Sequence, residues 1–284
     1  MTQPSRTAPF RILDFHTHPW RPEDFAPETT AFVRRVSPAL REHGDRLHDP
    51  VYCAGLLRAQ GVKHAVLLAE HCPRTSGNVR TETILELCAA TDGFFLPFAS
   101  VDPMTDPEPA ALLRRYVSLG VRGLKLYPSY QFWYPNDPVA WPLYEICLEA
   151  RIPVLVHIGS SVLKGTRMKY CDPIHLDDVA VDFPDLPVVM AHGGRGFWYD
   201  KCAFLAAHKE NLYIDVAGLV PQQLPGHFPQ LERLVPKLLF GSDWPAMPRS
   251  VSGNAMAIAQ LGLEPDALDR VMYRNAASLL GMAD

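Results

Sequence analysis

The stretch "ILDFHTHPW" (residues 12–20) decides how the rest of the chain is read. It is an apolar run that ends in two histidines one residue apart. Side chains two positions apart on a strand share a face, so His16 and His18 project together and Thr17 points away. Two imidazoles side by side at a strand end are able to share a metal ion, since neutral histidine is the commonest metal ligand. The pair equally fits two half-exposed histidines in a turn before Pro19. The stretch also bears on topology. An open doubly wound sheet often carries a glycine-rich turn after its first strand, and "HTHPW" stands there instead.

Seven further apolar runs follow: "HAVLLAE" (64–70), "FFLPFASVDP" (94–103), "VRGLKLYP" (121–128), "IPVLVHIG" (152–159), "LPVVMAHGG" (186–194), "LYIDVAG" (212–218) and "KLLFGSDWP" (237–245). Most are too short and too continuously apolar for strands with one wet face, and they read as strands buried on both faces of a parallel sheet. Segments with apolar residues three and four apart lie between them, such as 79–92, 107–120, 140–150, 175–184, 198–210 and 266–282. That spacing is helical. Eight strand-helix repeats at this length predict an α/β fold, a distorted (β/α)8 TIM barrel, as one domain over residues 1–284. Residues 20–50 are long for a first connection and read as an insertion over the barrel mouth, either a lid or a surface excursion.

Composition narrows the function. Of 284 residues, 48% are apolar, and 27 Lys and Arg against 31 Asp and Glu give a formal net charge of −4. No basic surface for tracking phosphates is expected, which argues against nucleic acid as a partner. No apolar run has the length of a membrane span. The stretch "MTQPSRTAPF" (1–10) lacks the apolar core of a signal peptide. The six scattered cysteines form no C-x-x-C pair and read as reduced thiols of a cytoplasmic protein. A homo-oligomer is compatible with all of this.

Chemistry collects at the strand ends. His16 and His18 follow the first strand, Lys125 the fourth, His157 the fifth, His192 the sixth and Asp243 the eighth. All carboxyl ends of barrel strands open on one face, where catalytic groups gather. A lone strand-end histidine is usually structural, but metal-competent residues ending five different strands are not an expected coincidence.

The ordered set "DFHTH" (14–18), "GLKLYP" (123–128), "LVHIG" (155–159), "AHGGR" (191–195) and "FGSDWP" (240–245) resembles the amidohydrolase superfamily of metal-dependent barrels. The resemblance spans nearly the whole chain and is strongest to the amidohydrolase-related branch of decarboxylases and hydrolases. It implies that His16, His18 and His157 bind a divalent metal, usually zinc, with Asp243 as a further ligand or general base. It implies that His192 is a second-metal ligand or an acid/base partner. Lys125 occupies the position at which binuclear members carry a carboxylated, metal-bridging lysine. Since the branch often works with one metal, one ion is favoured over two, and Lys125 then serves substrate electrostatics or packing.

Such a site suits a bound divalent ion that acidifies a water and polarises a carbonyl, with Asp243 moving the proton. The primary expectation is a hydrolase of a small carboxylate-bearing amide, lactone or ester. The alternatives are a non-oxidative decarboxylase of a small carboxylic acid and an inactive metal-binding barrel. Deaminases of the superfamily place a glutamate soon after a strand-end histidine, and "HIGSS" and "HGGRG" supply none. For the small-molecule substrate, Arg195 is expected to clamp a carboxylate bidentately, with Tyr127, Tyr130, Trp133 and Trp198 as walls. Glu70 and His71 are weaker mouth candidates.

Overall fold

Eight strands, each parallel to the next, run in chain order around the molecule. They are β1 (Ile12–Thr17), β2 (Val62–Leu68), β5 (Phe95–Ser100), β6 (Gly123–Leu126), β7 (Val154–Gly159), β8 (Val188–Arg195), β9 (Leu212–Asp215) and β10 (Leu238–Leu239). A short antiparallel hairpin, β3 (Glu70–Cys72) and β4 (Gly77–Val79), interrupts the series after β2. This computed structural model describes residues 7–282. Residues 1–6, most of the stretch read above for targeting, lie outside the described residues. The eight strands with their intervening helices form the expected TIM barrel.

The barrel is closed between its first and last strands by backbone hydrogen bonds. Phe15 N–H donates to the Phe240 carbonyl at 2.9 Å, Asp243 N–H to the His16 carbonyl at 2.9 Å, and His18 N–H to the Trp244 carbonyl at 2.8 Å. The fully buried Asp14 adds a side-chain stitch, its Oδ1 accepting from Ser242 N–H at 2.8 Å and from His16 N–H at 3.2 Å. Burial pushes the Asp14 carboxyl up to about 7, against those hydrogen bonds.

Alternation along the strands sorts the core into two. Leu13, Phe15, Val66, Leu68, Phe98, Leu155 and Val189 fill the barrel interior, and Tyr273, Ala276 and Leu280 from the carboxyl-terminal helical turns plug its base. Ile12, Leu67, Val154, Val156, Val188 and Met190 face the surrounding helices. Strict alternation from Ile12 and Val188 would send His16 and His192 outward too. Two irregularities prevent it. Between Asp14 and Thr17, β1 runs three residues against two of β2, since Asp14 faces Ala65 and Thr17 faces Leu67. Between Ala191 and Arg195, β8 runs four against the two from His157 to Gly159 on β7. Bulges of this kind bend a strand and re-aim its side chains. The second passes through left-handed backbone at His192 (φ 65°), Gly193 and Gly194. Gly159 is what lets β8 lie so close, because a Cβ there would meet Arg195 N at 2.5 Å.

The insertion at 20–50 contains more regular structure than its composition suggests. It holds helices Pro27–Val36 and Pro38–His43, followed by a 3-10 turn at Gly44–His48, and the first barrel helix, Pro50–Ala59, comes after it. Each of these helices has proline in its first turn, where the missing N–H costs nothing. Asp49 caps the third by accepting from Val51 N–H at 2.8 Å. All six cysteines are free and buried. No helix among the described residues is long and apolar enough to cross a membrane.

The seam gives the first expected outcome. Asp14→Ala leaves buried N–H donors unpaired and should lower unfolding free energy by about 1–3 kcal/mol in urea titration. Asp14→Asn retains an acceptor and should lose less. An unchanged midpoint for Asp14→Ala would show that the carboxylate does not hold the seam.

Candidate metal centre

His16, His18 and Asp243 meet directly above the seam. Asp243 Oδ1 lies 3.7 Å from His16 Nε2 and 3.4 Å from His18 Nε2, and the two rings are 5.3 Å apart. One donor atom from each residue fits within a span of 4.8 Å. Metal–ligand bonds of about 2.0–2.2 Å put donors that share an ion roughly 3–3.5 Å apart, so this grouping fits a divalent cation with little adjustment. Burial opposes ionisation of Asp243, yet the His18 hydrogen bond and the facing His16 and His192 hold its carboxyl well below the usual range. It is an acceptor, as a ligand or base must be. Asp243 itself takes left-handed backbone, φ 63°.

A second circle of groups fixes the first. His16 Nδ1 faces Asp215 Oδ2 at 2.5 Å, and Asp215 Oδ1 accepts from Ala217 N–H at 2.5 Å. A carboxylate on the far nitrogen of a ligating imidazole sets its tautomer and leaves the near nitrogen free. His192 is held likewise, its Nδ1 donating to the Ala217 carbonyl at 2.9 Å, with its ring 4.9 Å from His16 and 4.7 Å from His157. Burial depresses the basicity of His16, with Lys125 adding to it. Burial also holds His157 and His192 well down, reinforced by Lys125 at His157 and by Arg195 at both. All three imidazoles are therefore neutral and available as donors of lone pairs. His157 lies outside the closest grouping, but its Nε2 is buried without a hydrogen-bond partner among the described residues.

Lys125 is completely buried on β6, and its Nζ too lacks a hydrogen-bond partner among the described residues. Burial lowers its amine to about 8, opposed by Asp215, Asp243 and Glu70. Arg195 differs from expectation. Its Nε and Nη2 edge donates to the Ser160 carbonyl at 3.1 and 2.8 Å, so the fork expected to clamp substrate is occupied by the protein's own backbone. Nη1 remains, and Gly218 makes room for it: a Cβ on Gly218 would sit 2.6 Å from that nitrogen and 3.3 Å from Asp243 Oδ2 and His192 Nδ1. Three site residues thus converge on one missing methyl.

These groups form the floor of a cavity of about 270 Å³. His16, His18, His157, His192, Asp243, Lys125, Arg195 and Glu70 all line it, as do Tyr127 and Tyr130. Trp198 does not, a correction to the reading above. Its N–H bonds to the Gly194 carbonyl at 3.0 Å, which begins helix Tyr199–His208 and carries the indole away beside Phe197. Trp133 is buried and donates to Gln131 Oε1 at 3.0 Å, and His71 pairs with Asp106 at 3.0 Å, both outside the cavity. Glu70 gains weight, with Oε2 3.6 Å from His18 Nδ1. Asp215 was overlooked in the sequence, although "LYIDVAG" carries an acid at a strand end as visibly as "LVHIG" carries a histidine. Phe25, Phe32, Val33 and Val36, from the insertion, were not foreseen as cavity walls.

Comparison with known proteins agrees with this architecture. The profile of the amidohydrolase family matches residues 13–282. No curated protein matches the chain. An uncharacterized TIM-barrel protein from Bordetella bronchiseptica is 25% identical, with a TM-score of 0.78 over 96% of this chain and 99% of that one. A dihydroxybenzoic acid decarboxylase from Polaromonas sp. JS666, with bound manganese and 2-nitroresorcinol, is 20% identical, with a TM-score of 0.69 over 96% and 97%. A probable 2-pyrone-4,6-dicarboxylic acid hydrolase from Acinetobacter baumannii, with citric acid bound, is 16% identical, with a TM-score of 0.66 over 96% and 100%. The last two share the barrel fold with this chain.

Metal analysis tests the centre. The protein should bind about one equivalent of zinc or manganese, and the double variant His16→Ala, His18→Ala should bind none. Asp215→Ala should weaken binding about 10–100-fold in chelator competition, and unchanged affinity would remove Asp215 from the site. Because burial depresses the basicity of His16 and His157, protons compete poorly at those two rings. Metal occupancy should therefore persist as pH falls through about 6.5, the ordinary histidine range, and be lost only in more acidic buffer.

Proposed function

The chain belongs to the amidohydrolase family of enzymes, and from that premise we propose that it is a metal-dependent hydrolase of a small carboxylate-bearing amide, lactone or ester. The observation that carries this reading is the ionised Asp243, shared between His16 and His18 on the cavity floor and facing Arg195 across Gly218. A hydrolase needs a base beside its electrophilic centre, and the floor offers an acceptor carboxylate and three neutral imidazoles.

His16, His18 and Asp243 would hold one ion, zinc by ligand type, with His157 completing the set. One ion is preferred to two because the described residues bring a single set of such donors, His16, His18 and Asp243, within 4.8 Å of one another. When bound, the ion supplies Lewis-acid polarisation of a substrate oxygen. Asp243 accepts the proton of the attacking water and returns it to the leaving group. His192, with Nδ1 committed to the Ala217 carbonyl, presents Nε2 as a hydrogen-bond acceptor. Arg195 Nη1 offers one charged donor to the substrate carboxylate or developing oxyanion. The buried Lys125 adds positive charge beneath the same point.

Decarboxylation is the second reading, and Lys125 favours it. An amine at about 8 is protonated at neutral pH, so it is an acid able to deliver a proton to the carbon that loses carbon dioxide. The manganese-bound decarboxylase of the same fold lends this reading support.

A panel of small carboxylate esters, lactones, amides and free aryl carboxylic acids separates the two. Carboxylate product detected by chromatography, without carbon dioxide, is expected, and Asp243→Asn should lower kcat by about 10²–10⁴-fold. Carbon dioxide release from a free acid, with Lys125→Met inactive and no ester, lactone or amide cleaved, would overturn hydrolysis. Arg195→Ala should raise KM more than it lowers kcat if Nη1 holds the carboxylate in ground and transition states alike.

A further inference from the structure

The floor described above accounts for only part of the cavity. The insertion supplies another part, and Pro245, Ala246, Met247 and Pro248 from the chain beyond β10 also line it. Helix Pro27–Val36 turns Thr29, Phe32, Val33 and Val36 into the cavity, positions i, i+3, i+4 and i+7 of one helical face. Phe25 precedes the helix, and Val162, from the chain after β7, lines the same cavity. Thr29 is the one hydrogen-bonding side chain on this helical face. Val162 is 59% exposed, an apolar side chain left uncovered at a cavity wall.

The wall is fixed in place rather than loosely draped. Asn78 N–H donates to the Asp24 carbonyl at 2.7 Å, and Ala26 N–H to the Ser76 carbonyl at 2.8 Å, so the β3–β4 hairpin grips the chain just before the helix. Gly77 lies between these bonds with φ 137°, where a Cβ would meet the Asp24 carbonyl oxygen at 2.5 Å. Arg34 lies over the Trp20 ring at 5.7 Å, tying the helix back to the end of the β1 loop.

We propose that helix Pro27–Val36 forms a specificity wall, with Phe32 and Val36 selecting substrates whose non-reacting end is a hydrocarbon chain or ring. Resting on the hydrolytic reading for its head group, this names the substrate class: a carboxylate or acyl head on the polar floor with an unsubstituted hydrocarbon body against the insertion. A sugar, an amino acid side chain with a charge, or a second carboxylate would leave its polar end unpaired against Phe32 and Val36.

Calorimetry on the zinc-loaded protein tests this without turnover, using sodium acetate, butyrate, hexanoate and octanoate. Affinity should rise about two- to fourfold per methylene from acetate to hexanoate, as expected for burying hydrocarbon. Phe32→Ser and Val36→Thr should flatten that rise while changing acetate affinity less than about twofold. Val36→Thr preserves side-chain shape, so it remains informative even if Phe32→Ser fails to fold. A flat series, no binding by any alkanoate, or variants that weaken acetate as much as hexanoate would overturn the proposal. A rising series with no ester, lactone or amide cleaved would sink the hydrolytic reading and leave the wall. Hydrolysis with a flat series would sink the wall alone.

Discussion

Asp243 N–H bonds to the carbonyl of His16, and Ser242 N–H bonds to the carboxylate of Asp14. These contacts join residues more than 220 positions apart in the chain, and the site is built on top of them. Both halves of the metal grouping straddle this one seam: the imidazoles come from β1, and the carboxylate comes from just beyond β10. Neither half is a site alone. Everything placed between them, seven further strands and their helices, sets the circumference at which the two ends meet. The buried charges follow from that closure, because only a closed barrel withdraws Asp14, Lys125 and Asp215 from water.

The strand pattern was legible because parallel barrel strands are continuously apolar, and "IPVLVHIG" or "LPVVMAHGG" shows this without help. The metal-competent residues were legible because each interrupts such a run with a group that has no business in a core. What stayed hidden has physical causes. Prolines at 27, 38 and 50 read as loop punctuation in sequence, yet each starts a helix. The apolar face at 32, 33 and 36 is masked by the threonines at 29 and 30 and the arginines at 34 and 35. Arg195 looked like a substrate clamp because sequence cannot tell that the Ser160 carbonyl already fills its fork. Period-two reasoning did place His16 and His18 together, but it could not show the bulge in β1 that turns His16 toward the mouth.

The cavity divides its labour by origin. Barrel strands and the residues at their carboxyl ends, whose geometry is fixed by the sheet, carry the imidazoles, the carboxylate and the cations of the floor. Connections and the insertion carry the apolar surface. Precision is demanded only of the first set, since a metal grouping tolerates displacements of a few tenths of an ångström while a hydrocarbon wall tolerates more. The hairpin that grips the insertion is therefore a hinge between two standards of accuracy. It lets the wall be rewritten without disturbing the floor.

His192 and Asp243 stand in left-handed backbone, at φ 65° and 63°. For an ordinary side chain that conformation costs roughly 1–2 kcal/mol, and glycine escapes most of it. A population of variants screened for thermal tolerance alone would drift toward glycine at both positions. Those chains would have lost an imidazole and a carboxylate from the cavity floor. The strain is the local cost of holding an imidazole and a carboxylate on the cavity floor.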